Sequence, residues 1–229
     1  MKILHLTDLH FRKHWFEWAT TVAHEFDVVC ISGDFLDIFD ARDLQTQIAW
    51  VSDWMRSFPA KLVTCTGNHC WWPSWDANDE NGDGKWLRRL ASSQITTDGQ
   101  TTVIGEVQFT SVGWMSPPNA PTLALPQMII AHCGPRGSGV AHNGRRDLGE
   151  ILLRDLVHEH PAIVLSGHVH DPVKWHGLVG KSVCFNPGFE PDASQPRHVR
   201  LDLKTRTAEL VVNGTTIDTV NISSALGGF

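Results

Sequence analysis

The chain has 229 residues, 25 acidic against 19 basic side chains and a net charge of -6, with 41% hydrophobic and 19% charged residues. This is the balance of a folded globular chain rather than a disordered one, and it argues against attachment to nucleic acid by counterion release, while leaving nucleotides open. No apolar run approaches the roughly 20 residues that span a bilayer, and the five cysteines, none in a Cys-x-x-Cys spacing, read as reduced thiols rather than a disulfide framework.

The length suits one α/β domain over residues 1–229. Met1-Lys2-Ile3-Leu4-His5 has no signal-peptide layout, so a cytoplasmic location is expected. The first strand, Ile3 to Thr7, runs into Asp8-x-His10, and alternation along extended backbone is expected to turn both side chains to one face. Trp15, Trp18, Ala19, Val22 and Phe26 then follow helical spacing and read as core.

Asp27 to Ser32 is a second buried strand, ending at Gly33-Asp34-Phe35-Leu36-Asp37. Asp40 to Phe58 reads as a helix, with Leu44, Ile48, Val51 and Met55 on one face, Trp50 and Trp54 beside them, and Pro59 closing it. The third strand, Lys61 to Thr66, leads into Gly67-Asn68-His69-Cys70. Trp71, Trp72 and Trp75 follow, an aromatic cluster that reads either as a stacking surface for a flat group such as a nucleobase or as a plug on the domain rim.

Asp79-x-Asn81-x-Asp83-Gly84 has Leu90 where a calcium loop needs a bidentate glutamate, so it reads as a solvated loop. Trp86 to Ser92 reads as a short helix, and Thr101 to Trp114 as paired strands turning near Gly105. After a proline-rich linker, Gln127 to Ala131 is a strand that delivers His132, followed by Cys133 and Arg136. Arg136 is a candidate phosphate contact, whereas Cys70 and Cys133 read as small residues in tight space rather than soft zinc ligands.

Asp147 and Glu150 have the spacing of a capping box opening a helix to about His160. Ala162 to Ser166 is the last motif strand, entering Gly167-His168-Val169-His170, whose two histidines are expected to point the same way. A closing hairpin follows, from Val199, Leu201 and Leu203 to Ala208, Leu210 and Val212. The tail after Ile217 reads as loosely held.

Five apolar runs thus end in metal-type side chains, and in open α/β sheets such strand ends gather ligands at one place. The order Asp8-x-His10, Gly33-Asp34-x-x-Asp37, Gly67-Asn68-His69, His132, Gly167-His168-x-His170 resembles the calcineurin-like metallophosphoesterase superfamily. Asn186-Pro187-Gly188 resembles a turn that follows these motifs in many of its members. The resemblance implies a four-layer α/β/β/α sandwich of two mixed sheets flanked by helices.

It also implies two metal ions, one held by Asp8, His10, Asp34 and His170 and the other by Asp34, Asn68, His132 and His168. The mixed oxygen and nitrogen set suits manganese, iron or zinc. A hydroxide shared by the ions would attack phosphorus, with His69 donating a proton to the leaving oxygen and Asp37 orienting its ring. The expected substrate is a small phosphodiester, with Trp71, Trp72 and Arg136 as candidate contacts. A phosphomonoesterase, a nuclease and a non-catalytic scaffold are the alternatives, and the oligomeric state stays open.

Two positions depart from the pattern. Cys70 stands where many relatives carry an acidic residue, and Ile38 where the protein serine/threonine phosphatases of the superfamily carry a phosphate-clamping arginine.

Overall fold

The computed structural model describes residues 1–40, 43–74, 76 and 79–223. Its first sheet is built from β1 (Lys2–Leu6), β2 (Val28–Ser32), β3 (Lys61–Cys65) and β4 (Ile95–Thr96) in parallel, extended on the other side by antiparallel β11 (His198–Asp202), β12 (Thr207–Val212) and β13 (Thr215–Asn221). The second sheet has parallel β6 (Val107–Val112), β7 (Gln127–Cys133), β8 (Ile163–Gly167) and β10 (Ser182–Phe185) at its centre. Its antiparallel edges are β5 (Thr101–Ile104) and β9 (His176–Val179).

Three apolar clusters separate four layers. Leu4, Leu6, Val29 and Ile31 pack outward against α1 (Lys13–Val22) and α2 (Leu44–Ser57), through Trp15, Phe16, Ile48 and Val51. The alternate residues Ile3, Val28, Cys30 and Val63 face inward and meet Phe109, Met128, Ile130 and Leu165 of the second sheet. On the far side Ile129 and Val164 pack against Leu153 and Val157 of α4 (Ile151–Glu159). Strands covered on both faces need apolar side chains at every position, which is why they read as continuous runs. The remaining α-helix, α3, is a single turn at Lys85–Arg88, and no helix among the described residues is long and apolar enough to cross a membrane.

Several local expectations need correction. The second helix begins at Leu44 rather than Asp40, because Asp43 is its N-cap and accepts from Thr46 N at 2.9 Å. The capping box at Asp147 does not form: Asp147 instead accepts from Gly137 N and Gly149 N, and Glu150 occupies the N-cap of α4 without a side-chain cap. The short helix stops at Arg88, well before Ser92. The closing hairpin gains a third strand, β13, that includes Ile217 and is exposed along almost its whole length. With both its faces wet, an edge strand of this kind has no hydrophobic alternation to read. The end of the tail, from residue 224, lies outside the described residues.

Candidate metal centre

Every motif side chain sits at the carboxyl end of a parallel strand. The loops after β1 and β2 are joined main chain to main chain, with Asp8 N donating to Gly33 O at 3.3 Å, His10 N to Asp34 O at 2.9 Å and Phe11 N to Phe35 O at 2.8 Å. This pairing requires left-handed backbone at Asp8 (φ 53), His10 (φ 42), Phe11 (φ 53) and Asp34 (φ 50), and His168 shares it (φ 68). Such conformations are costly for residues with a Cβ and collect at functional sites. Asp8 and His10 therefore meet through two left-handed turns beyond the strand, not through the alternation of extended backbone. His132 lies inside β7, where the register against β8 shifts between Ile130 and Cys133, a bulge that re-aims a side chain.

Asp8 is fully buried. Its Oδ2 accepts from Thr7 Oγ1 at 2.7 Å and His168 N at 3.1 Å, while Oδ1 has no hydrogen-bond partner. Around that oxygen lie His170 Nε2 at 3.3 Å and His10 Nε2 at 3.6 Å, and those two nitrogens are 3.2 Å apart. Against the upward push of burial, His10 and His170 hold the Asp8 carboxyl well below the usual carboxylate range.

Asp34 accepts from His69 N at 2.8 Å through Oδ1 and faces His132 Nε2 at 3.2 Å through Oδ2. His132 donates from Nδ1 to Ser32 O at 2.7 Å, which leaves Nε2 aimed at Asp34 and at Asn68 Oδ1, 3.0 Å away. Asn68 Oδ1 also meets His168 Nδ1 at 2.8 Å. Burial pulls the His132 imidazole down, but the Asp34 and Asp8 carboxylates outweigh it and raise it to about 9. His168, lowered to about 4 by burial and by His132, stays neutral.

The two histidines of the last motif do not point the same way. His170 joins Asp8 and His10, whereas His168 joins Asn68 and His132.

These donors form three groups able to hold a cation: Asp8, His10 and His170; His10, Asp34 and His69; and Asp8, Asp34 and His132. Carboxylate and imidazole lone pairs crowd one another here, and the unpartnered Asp8 Oδ1 lies among them, so the donor set fits positively charged metal ions. Asp8, His10 and Asp34 each belong to two groups. His69, expected as a proton donor only, lies within the reach of ligand atoms as well.

The profile of the calcineurin-like phosphoesterase family matches residues 1–172. The chain belongs to this family. Calcineurin-like phosphoesterases are metal enzymes as a family, in keeping with the clustered donors.

Among solved structures, this calcineurin-like phosphoesterase is similar to TT1561 of Thermus thermophilus, with a TM-score of 0.58 and 13% identity over 96% of this chain and 98% of that one. Yfce, a phosphoesterase from E. coli, gives 0.50 and 14% over 97% and 100%. The purple acid phosphatase PPD1 of yellow lupin (Lupinus luteus) gives 0.62 and 14%, covering 99% of this chain and 55% of that one. At such identities the likeness is one of fold. Comparison with curated proteins finds no matching sequence.

Other members of the expected site are placed differently from the sequence reading. Asp37 does not hold the His69 ring: its Oδ1 accepts from Phe39 N at 2.9 Å, capping its own turn, and His69 Nδ1 is buried without a partner. Asp37 acts on His69 only through space, raising an imidazole that burial lowers. Arg136 donates its Nε to Gly149 O at 3.2 Å within its own loop.

Trp72 packs against the helix-side core and donates to Asp79 Oδ2 at 3.2 Å, which ties the acidic loop to the rim. Trp71 is half-buried, and Trp75 lies outside the described residues. Cys70 is fully buried and accepts from Phe35 N at 3.0 Å through Sγ, while Cys133 Sγ donates to Leu148 O. Both are structural thiols.

Two aromatic residues with no motif to mark them are in contact with the histidines. The Trp114 ring lies 5.6 Å from His132 and 5.2 Å from His168, and the Phe189 ring lies 5.1 Å from His10 and 4.5 Å from His170. Asn186, marked in the sequence only as the start of an Asn-Pro-Gly turn, lies with its Nδ2 against the carbonyls of Gly167 and Val169 on either side of His168.

Proposed function

We propose that this calcineurin-like phosphoesterase hydrolyses a small phosphodiester at the cluster of Asp8, His10, Asp34, Asn68, His132, His168 and His170. The observation that supports it best is the meeting of two donor groups on one buried carboxylate, Asp34, one of them reaching the half-buried His69. Divalent ions bound there supply Lewis-acid neutralisation of phosphoryl oxygens and a water of lowered pKa.

The protein's own contributions are separate from that chemistry. His69 is the proton donor: its backbone N–H is fixed on Asp34 Oδ1, which holds its main chain at the cluster, and its ring lies against that of His10 at 4.6 Å. Burial lowers its imidazole, which the Asp34 carboxylate opposes, and in this role the ring passes a proton to the leaving oxygen.

A diester is preferred to a monoester on grounds of charge. A monoester dianion calls for cationic clamps, yet Ile38 stands at the arginine position. A diester carries a single negative charge and needs less.

With manganese supplied, bis(p-nitrophenyl) phosphate should turn over well ahead of p-nitrophenyl phosphate, and His69→Ala should lower kcat by about 100-fold or more while metal content by elemental analysis stays unchanged. The opposite substrate ratio makes the protein a phosphomonoesterase. Loss of a metal equivalent in His69→Ala makes that residue a ligand instead. No turnover and no bound ion with any divalent cation would leave a non-catalytic scaffold.

A further inference from the structure

Beside the metal centre runs a groove of about 280 Å³ lined by Val112, Trp114, Met115, Pro117, His132 and Leu152. Its walls are the turn after β6 and the first turn of α4, and it adjoins the centre at two shared residues: His132, which lines the groove and belongs to the cluster, and Trp114, whose ring packs on His132 and His168. Trp114 covers His132 and His168 on this side, while His69 flanks the cluster at His10, their rings 4.6 Å apart. The two flanks therefore have different chemistry: a proton donor on one and an apolar wall on the other.

The wall is held in place from below. Trp114 N donates to Thr66 Oγ1 at 2.9 Å, and Thr66 donates through both Oγ1 and N to the carboxylate of Asp98, each at 2.8 Å. Asp98 is itself buried, and a Cβ on Gly113 would come within 2.6 Å of its Cγ, so the turn is packed down onto this strut. The next residue, Met115, sits in left-handed backbone (φ 60) with its side chain exposed, a conformation that needs support from its surroundings.

We infer that this groove receives the substituent that stays on phosphorus, and that it selects an uncharged, flat ring, with Trp114 as the specificity-determining residue. The inference rests on the phosphodiesterase reading above. If His69 serves the leaving oxygen, the other ester group extends away from it, and Trp114 is the apolar surface on the other flank. The lining holds an indole, prolines and aliphatic side chains, and apart from the buried His132 of the cluster its one ionisable carboxylate or cation among the described residues is the exposed carboxylate of Glu150. That composition accepts a ring by apolar burial and aromatic contact and repels a substituent carrying a further negative charge.

The test uses two substrates with one leaving group, phenyl p-nitrophenyl phosphate and methyl p-nitrophenyl phosphate, assayed with manganese. The phenyl ester should show a KM about tenfold lower than the methyl ester. Trp114→Ala and Leu152→Glu should each erase most of that ratio, and Trp114→Phe should restore part of it. Leu152 is on the far wall, so its variant reads the groove without disturbing the histidines.

Equal KM values in the parent protein, or a ratio untouched in both variants, overturn the inference. A calorimetric titration with diphenyl phosphate and dimethyl phosphate gives a second reading that needs no turnover. If neither ester is hydrolysed, the phosphodiesterase proposal fails and the titration alone decides the groove: preference for the diphenyl compound, lost in both variants, upholds it, and no preference removes it.

Discussion

Asn186 offers the sharpest test of how the last histidine motif is held. Its side chain is fully buried, and Nδ2, with two hydrogens to give, lies within hydrogen-bonding distance of Val140 O at 3.0 Å, Gly167 O at 3.0 Å and Val169 O at 2.9 Å, while Oδ1 accepts from Gly188 N at 2.8 Å. Two of those carbonyls flank His168. Gly167 O has a second donor in Val169 N, so a carboxyl in place of the amide, with one O–H to give when protonated, strands one of the other two carbonyls.

A stranded buried acceptor costs about 1–3 kcal/mol, and a carboxyl kept protonated above its usual pKa adds about 1.4 kcal/mol per pH unit, so near neutral pH Asn186→Asp should lose roughly 4 kcal/mol or more. For a chain of this length that is a fall in Tm of about 10 °C or more. The new carboxyl faces carbonyl oxygens and would be held protonated in the fold, its pKa raised above the unfolded value. A group of that kind contributes stability at low pH that is lost as pH rises through the folded pKa. The melting gap between variant and parent should therefore narrow from about pH 7.5 to about pH 5. Thermal unfolding at both values is the assay, and a variant melting with the parent at both would refute this account of the turn.

Burial holds His198 at about 4, so below about pH 6.5 the unfolded chain takes up a proton that the fold refuses, and stability drops as pH falls. Near pH 5 the loss is about 2 kcal/mol, and His198→Gln should remove that much of the acid sensitivity, as read from urea unfolding at two pH values. All five cysteines are buried, and burial pushes the Cys30 and Cys70 thiols far up and those of Cys133 and Cys184 to about 12. A thiol-specific disulfide reagent should find almost none of them in the native protein and all of them in guanidinium; a fast native reaction at any one would contradict the packing. Gly167→Ala would drive a Cβ into Thr7 Oγ1 and Asp8 Oδ2. It should cost both stability and bound metal, and a variant that folds and loads metal normally would show that the contact is soft.

The strands and their ends were legible because burial on both faces forces unbroken apolar runs, and because ligand side chains interrupt those runs at one end. What could not be read was anything set by left-handed backbone. Asp8-x-His10 has the spacing of strand alternation, yet both residues take positive φ, and nothing in their chemistry announces it. The Asp37 contact failed for a related reason: an aspartate two residues before a free N–H caps its own turn at little entropic cost, and that local bond competes with a reach to His69. Trp114 was hidden because a single tryptophan after a strand has no spacing partner, whereas Trp72, conspicuous beside Trp71, packs on the helix-side core.

The glycines of the motifs explain why these short patterns occur together. Gly33, Gly67 and Gly167 each precede a candidate ligand, and the space each leaves is filled by a different motif. A Cβ on Gly33 would be 2.5 Å from His132 Nδ1, one on Gly67 would overlap Asp34 Oδ1, and one on Gly167 would overlap Asp8 Oδ2. Each motif thus makes room for a ligand delivered by another, and the main-chain bonds between the loops after β1 and β2 lock two of them in register. Left-handed backbone at Asp8, His10, Asp34 and His168 costs of order 1–3 kcal/mol per residue, and this mutual packing is what offsets it. The donors are then fixed by the scaffold before any ion arrives, which is the condition for holding two like charges close together with little reorganisation.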